Sequence, residues 1–452
     1  MKKNSVIEKL KTDPNYRVFV MITLLMAGFL LVFILNNVTS HFEPGTWSYH
    51  DARIFPTYPP SGNDFRVGYY RPAYYLVQSH FTSIGETGNY DSFYPPLVAL
   101  LYVPFVLFKF STAYAIHVVI LIIANLACLL MAVLMVKRYL LSDLGLAETT
   151  VNIISLCLFF FTAIYIFSSY FFLYGIERGN TDILVMFLCV LTLWLLTKRP
   201  NNVWLQVIVL SVAVHLKIYP LVLFPLLLFK HGKKLILPAI LVNVAFLFCL
   251  GPNMAWEFFK SLTAGGGGAG LGNAYSSAGN HSAYSFTVGI DKTDDKYLSG
   301  TFFVMWATTF LLPLVMWGIT CISIVLRKYT TPNAVLFFMV TVPLMSLLPT
   351  VSIDYKLVIF GVAIILLFGL VIRQFLQKFS WLDLIQVLLL IGVLIMLSRS
   401  PAYISQDLPF IRNKYIWVLL LEVIMCVNIL RNKKKRAQPE TDPAGPVTAV
   451  LP

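Results

Sequence analysis

Charge is scarce in this chain: Asp, Glu, Lys and Arg make up only 12% of its 452 residues. A soluble globular chain carries about 25%. Half that fraction over this length excludes a soluble enzyme, a nucleic-acid binder and a disordered protein. Cysteine is also sparse, and all six (Cys128, Cys157, Cys189, Cys249, Cys321, Cys426) lie inside apolar runs. They offer no disulfide framework for an extracytoplasmic segment. No His/Cys/Asp cluster has metal-ligand spacing, no Gly-x-Ser-x-Gly elbow occurs, and no internal repeat is visible. Neither a metal nor another cofactor is called for, and no nucleic-acid partner is expected.

What is present is apolar. Hydrophobic residues make up 58% of the chain and mean hydropathy is +0.77, so the partner the composition demands is a lipid bilayer. Runs of spanning length lie near 18–35, 113–136, 150–173, 181–197, 203–219, 235–250, 301–326, 334–349, 357–372, 381–398 and 415–430, with shorter ones near 95–109 and 221–230. The first run follows Lys2, Lys3, Lys9, Lys11 and Arg17, and no convincing small-residue cleavage site comes after it. It reads as an uncleaved helix with its N-terminus inside.

Net charge is +13, with 34 basic against 21 acidic residues. The basic residues punctuate the apolar runs: Lys198–Arg199, Lys230–Lys234, Arg327–Lys328, Arg373–Lys378 and Arg431–Arg436. Cytoplasmic loops concentrate Lys and Arg, so 37–94, 174–180, 251–300, 350–356 and 399–414 fall outside. Lys137–Arg138 fits inside only if 95–109 is re-entrant or interfacial. The expectation is an all-α polytopic membrane protein of about twelve spans. It reads as one domain over 1–436 with a disordered cytoplasmic tail, 437–452, whose two large outer loops are 37–94 and 251–300.

Polar chemistry gathers on the outer side. Ser61-Gly62-Asn63-Asp64-Phe65-Arg66, then Arg71, precede Tyr94-Pro95-Pro96 at re-entry. A carboxylate flanked by cations suits base chemistry beside a phosphate; the alternative is a solvated loop with ordinary ion pairs. Gly175-Ile176-Glu177-Arg178-Gly179-Asn180-Thr181-Asp182 lies at the mouth of two helices, where charges facing lipid are costly. They line a polar cavity, or Asn180 caps a helix in a plain turn. His215-Leu216-Lys217-Ile218-Tyr219-Pro220 closes an outward span, where Lys217 either snorkels or meets a lipid phosphate. Ser352-Ile353-Asp354-Tyr355-Lys356 repeats the theme. Gly265–Gly268 reads as a lid or linker, since no strand precedes it and no Gly-Lys-Ser/Thr follows. In the same loop Asn280-His281-Ser282 offers one histidine, and the Asp291/Asp294/Asp295 group reads as solvated.

In order and spacing, these segments resemble glycosyltransferase family 87, over about residues 15–372. The resemblance rests on Gly62-x-Asp64-Phe65, Tyr94-Pro95-Pro96, Gly175-x-x-x-Gly179-Asn180, Lys217-x-Tyr219-Pro220, Asn280-x-Ser282 and Asp354-Tyr355-Lys356. One departure is Ile176-Glu177-Arg178, where many members carry a neutral Gly-Gln-x-Asn turn. The resemblance implies a GT-C fold with a large first extracytoplasmic loop in the inner or plasma membrane of the cell, its active site facing outward. It implies transfer of a hexose, expected to be mannose, from a polyprenyl-phosphate sugar donor to a hydroxyl of a glycolipid or glycan acceptor, with inversion. Asp64 matches the family's catalytic aspartate as general base. Arg66, Arg71, Lys217 and Lys356 are then phosphate-binding candidates. Tyr94, Glu177, Arg178, Asn180, Tyr219, His281 and Asp354 are further donor or substrate contacts. Two other readings compete. A secondary transporter would show repeated halves and midplane polar sites, and these halves do not match. An O-antigen polymerase or ligase would place its main outer loop later in the chain.

Overall fold

The computed structural model describes residues 6–38, 62–81, 94–263, 280–291, 300–349, 352–399 and 413–431. The Gly265–Gly268 run, Asp51, Asp91, Asp294, Asp295 and the tail 437–452 lie outside the described residues, which are all-helical apart from one isolated bridge pair.

In chain order the helices are α1 (Val6–Thr12), α2 (Pro14–Val38), α3 (Arg71–Gln78), α4 (Pro96–Tyr102), α5 (Phe110–Val136), α6 (Glu148–Ser168), α7 (Tyr170–Arg178), α8 (Asp182–Lys198) and α9 (Val203–Leu216). They continue with α10 (Phe224–His231), α11 (Ile236–Leu247), α12 (Pro252–Thr263), α13 (Ala283–Asp291), α14 (Gly300–Val325), α15 (Thr331–Leu347), α16 (Phe360–Gln377), α17 (Trp381–Ser398) and α18 (Tyr415–Arg431). Every apolar run read from the sequence has become helix. Among the described residues, six helices are long and apolar enough to cross a bilayer alone, and up to eight spans result if two sharply bent pairs each count as one. The protein is therefore a polytopic membrane protein. Three further apolar helices are shorter, among them Pro96–Leu107. At 1.5 Å per residue that segment reaches only about 18 Å, short of a hydrocarbon core of about 30 Å.

Amphipathicity decides which helices sit inside. Helix α16 is apolar all round and buried from Phe360 to Ile372, and α15 is buried from Asn333 to Leu347. A helix with no polar face has to be wrapped by others, and α16 packs against α2, α5, α6 and α15. Lipid tails are as apolar as leucine, so close packing rather than water exclusion drives this association. Gly369 shows it: a Cβ there would lie 2.6 Å from Val136 Cγ1 on α5. The outer helices α14 and α17 keep faces such as Ile319, Ile322, Ile385 and Leu388 exposed for lipid.

The first outer segment departs from the loop expected. Residues 63–78 are helical, with a π-helical turn over Phe65–Tyr70 running into α3. Its apolar residues Phe65, Tyr69, Ala73 and Leu76 recur at near-helical spacing and are fully buried.

Candidate functional site

The site is built around the corner between α7 and α8, which meet at 109°. Helix α7 ends in a Schellman-type closure: the Gly179 N–H donates to the Ile176 carbonyl and the Asn180 N–H to the Gly175 carbonyl, both at 2.9 Å. Gly179 has φ +66°, a left-handed conformation, and a Cβ there would sit 2.7 Å from Phe65 Cβ. Glycine is required on both counts. Neighbouring elements hold the corner in place. Tyr114 Oη on α5 donates to the Ile176 and Glu177 carbonyls at 2.7 and 2.9 Å, and the Gly62 N–H donates to the Glu177 carbonyl at 2.7 Å. His117 Nε2 lies 3.1 Å from the Gly179 carbonyl. These bonds fasten the Asp64 segment to the corner.

Asp64 stands at the start of the π-helical turn. Its Oδ1 accepts Arg178 Nε at 2.8 Å and Nη2 at 2.6 Å, and its Oδ2 accepts Asn180 Nδ2 at 2.8 Å. Arg178, and not Arg66 or Arg71, is the cation on this carboxylate. The reason is helical geometry, since residues two apart do not share a face and residues seven apart lie about 10 Å along the axis. Arg66 is exposed, and Arg71 is exposed with its Nε 3.3 Å from Tyr75 Oη.

Asn180 carries the network onward. Its Oδ1 accepts the Asp182 N–H at 3.1 Å and Lys217 Nζ at 2.9 Å. Asn180 thus belongs to both the turn and the polar network, although the cap position of α8 is Thr181. Lys217 reaches this position because Pro220 ends the helical run, so α9 stops at Leu216 and Lys217 is extended (φ −156°, ψ 134°). Its Nζ donates to Asp182 Oδ2 at 3.0 Å, and Tyr219 Oη donates to Asp182 Oδ1 at 2.6 Å. Lys217 Nζ also lies over the rings of Tyr355 and Tyr94, 5.4 and 5.9 Å from their centroids, and Lys356 Nζ lies 4.9 Å from that of Tyr219. Tyr69 Oη bridges Thr181 Oγ1 at 2.8 Å and Tyr94 Oη at 3.3 Å.

A second polar cluster adjoins the first and is almost sealed. His281 Nε2 donates to Asp354 Oδ1 at 2.8 Å, and Lys414 Nζ donates to the same oxygen at 2.6 Å. The Lys414 N–H donates to His281 Nδ1 at 3.1 Å, which makes that nitrogen an acceptor and the imidazole neutral. Burial lowers the histidine pKa, outweighing the Asp354 carboxylate that would raise it. Both ring nitrogens are used within the cluster and the ring is 0% exposed, so His281 is not presented to a ligand here. Asn280 links the three segments: its Oδ1 accepts the Ser352 N–H at 2.7 Å, and its carbonyl accepts Asn413 Nδ2 at 3.0 Å. Helix α7 joins the clusters, since Tyr170 lies beneath Lys414 while Tyr174 touches both the Arg178 guanidinium and the Tyr355 ring.

Of the residues singled out from sequence, Asp64, Arg178, Asn180, Lys217, Tyr219 and Tyr94 come together. Lys356 flanks them, Glu177 contributes its carbonyl, Asp354 and His281 form the second cluster, and Arg66 and Arg71 stay at the surface. Asp182, one of the charges of the Gly175–Asp182 corner, has no role assigned from sequence, and Lys414 is not among the residues singled out. Asp182 had a signal, as a carboxylate opening a leucine-rich helix. Lys414 had one too, as a lysine immediately before the last apolar run. Among the described residues, no three His, Cys, Asp or Glu side chains group to hold a metal ion.

This arrangement holds an oriented carboxylate beside two fixed cations, a fit to acyl- or glycosyl-type transfer. The chain matches the model of glycosyltransferase family 87 over residues 93–350, more than half its length. The match includes Tyr94, the 175–182 corner, Lys217, Tyr219 and Asn280–Ser282; Asp64 precedes it and Asp354 follows it. No curated protein and no solved structure matches the chain. The chain belongs to glycosyltransferase family 87 and is a membrane glycosyltransferase.

Proposed function

We propose that the enzyme moves a hexose, mannose in the first instance, from a polyprenyl-phosphate donor to a hydroxyl of a glycan or glycolipid acceptor. Transfer takes place on the extracytoplasmic side of the cell membrane and inverts the anomeric centre. Asp64 is the general base. The observation that carries the reading is the placement of its carboxylate: oriented by Arg178 and Asn180, and still 14% exposed at the bundle end. A base must be fixed yet reachable.

The acceptor O–H gives its proton to an Asp64 oxygen as the acceptor oxygen attacks the anomeric carbon. The bond from that carbon to the phosphate oxygen breaks, and its electron pair leaves with the phosphate. Arg178 and Lys217 are held beside the carboxylate by their own anions, so they supply positive charge without reorganising. Lys356 adds a third cation near Tyr219. Arg66 and Arg71, exposed on the segment that carries Asp64, meet the donor phosphate as it approaches. The outward orientation is supported by the basic residues that follow α8, α10, α14 and α16. The test is to incubate purified protein with a panel of radiolabelled polyprenyl-phosphate sugars and score transfer. Consumption of the mannose donor supports the reading. Consumption only of nucleotide-activated sugars would replace the donor class.

A further inference from the structure

The end of the bundle opposite Asp64 holds a second polar site that the transfer reaction does not use. Helix α5 runs from His117, beside the Gly179 carbonyl, to a π-helical end that carries Arg138, 21 positions on and so roughly 30 Å away. There the ends of α5, α8 and α10 and the start of α15 enclose a cavity of about 600 Å³, lined among others by Arg138, Ser142, Lys230, Tyr329 and Thr331. Beside it, an apolar groove of about 640 Å³ runs along α10 and α14, lined by Leu228, Phe229, Trp317, Ile322 and Leu326.

We propose that this cavity binds the phosphate headgroup of an anionic phospholipid from the adjacent leaflet, with an acyl chain lying in the apolar groove. Three observations carry it. First, Arg138 and Lys230 have no carboxylate within ion-pair distance among the described residues, whereas Asp143, which also lines the cavity, is neutralised by Arg373. The uncompensated charge at the cavity is therefore positive. Second, the Tyr329 hydroxyl is buried and, among the described residues, has no hydrogen-bond partner. A buried hydroxyl left unpaired costs free energy, and a phosphate oxygen supplies the missing acceptor. Lys230 Nζ lies 4.4 Å from the Tyr329 ring centroid, so the ammonium stands over the ring that carries this hydroxyl. Third, cavity and groove share a wall. Phe229 precedes Lys230 in sequence, and its ring packs edge-on against Tyr329 at 5.3 Å. On the groove side Leu228, Ile322 and Leu326 are 49%, 61% and 78% exposed, as residues facing acyl chains would be. Cations over an apolar groove at the ends of spans are the chemistry that holds lipid headgroups. Free phosphate would match the cations but would leave the groove unused.

The test is native mass spectrometry of the detergent-purified protein with phosphatidylglycerol or phosphatidylcholine of equal chain length. Phosphatidylglycerol should remain bound under activation that strips phosphatidylcholine. The Arg138→Gln/Lys230→Gln double variant should lose about tenfold or more of that occupancy, having lost two charge-assisted contacts. Lys234→Gln, a basic residue at the same end outside the cavity, should keep it. Tyr329→Phe, which removes only the hydroxyl, should weaken it several-fold and guards against a double variant that folds poorly. Millimolar inorganic phosphate should leave the lipid in place. Equal retention of the two lipids, equal loss in Lys234→Gln, or displacement by inorganic phosphate would overturn the proposal, the last by making the site one for a free anion.

Discussion

Asn180 donates its side-chain amide to the Asp64 carboxylate at 2.8 Å, joining residues 116 positions apart in the chain. The same side chain accepts the Lys217 ammonium at 2.9 Å on its other end. A carboxamide suits both, because its two ends offer a donor to the anion and an acceptor to the cation. A carboxylate in its place would face Asp64 with like charge, and a leucine would break the link between them, leaving Asp64 to Arg178 and Lys217 to Asp182.

Asn180→Ala therefore separates the base from the cation that faces the phosphate. A hydrogen bond to a charged group contributes about 1.5–3 kcal/mol, so turnover should fall roughly 10- to 100-fold while the protein still folds. Steady-state transfer rates at saturating donor would show it. A variant with wild-type turnover would mean that the Asp64–Asn180–Lys217 chain is only scaffolding.

Gly179 and Gly145 share a left-handed backbone, at φ +66° and +65°, but differ in surroundings. A Cβ on Gly179 meets Phe65 at 2.7 Å, while one on Gly145 meets nothing within 4 Å. Gly145→Ala should cost only the backbone term of about 1 kcal/mol. Gly179→Ala adds overpacking of about 1–3 kcal/mol and should push the Asp64 segment off its corner. Thermal unfolding in detergent, with transfer assayed alongside, distinguishes them. Equal losses would contradict the role given to the Phe65 contact.

How much of this was legible beforehand follows from the range of the interactions. The helices are legible because each records a local property, an unbroken apolar run bounded by cations; how many cross the bilayer is not, since six to eight candidate spans among the described residues stand against the twelve or so expected. The Gly175–Asp182 corner was readable as costly polarity inside apolar sequence. The partner of Asp64 was not. The sequence shows Arg66 and Arg71 flanking Asp64 and gives no link to Arg178, because nothing local says that residue 64 folds as helix or which way that helix faces. Lys414 was overlooked for a similar reason: its partners Asp354 and His281 are 60 and 133 residues away.

The second cluster predicts a pH dependence. His281 is held neutral in the fold, with its pKa lowered by burial, whereas in the unfolded chain it titrates near 6.5. Below that pH the unfolded state binds a proton that the folded state refuses, so stability falls as pH drops through the unfolded value. Unfolding temperature measured between about pH 7.5 and 5.5 should decline more steeply in the wild type than in His281→Gln. Parallel curves would show that His281 already carries its proton in the folded protein.

The central claim is that Asp64 takes the acceptor proton. Asp64→Asn keeps the size of the side chain and a means of bonding to Arg178 and Asn180 nearby, but it removes the proton acceptor. General-base contributions run to about 10²–10⁴-fold. The measurement is the single-turnover rate of purified Asp64→Asn with radiolabelled polyprenyl-phosphate mannose, together with donor affinity on the same preparation. The account predicts a rate at least about 100-fold below wild type with donor affinity little changed; a near-normal rate would contradict it and move the base to another carboxylate of the site, Glu177 or Asp182.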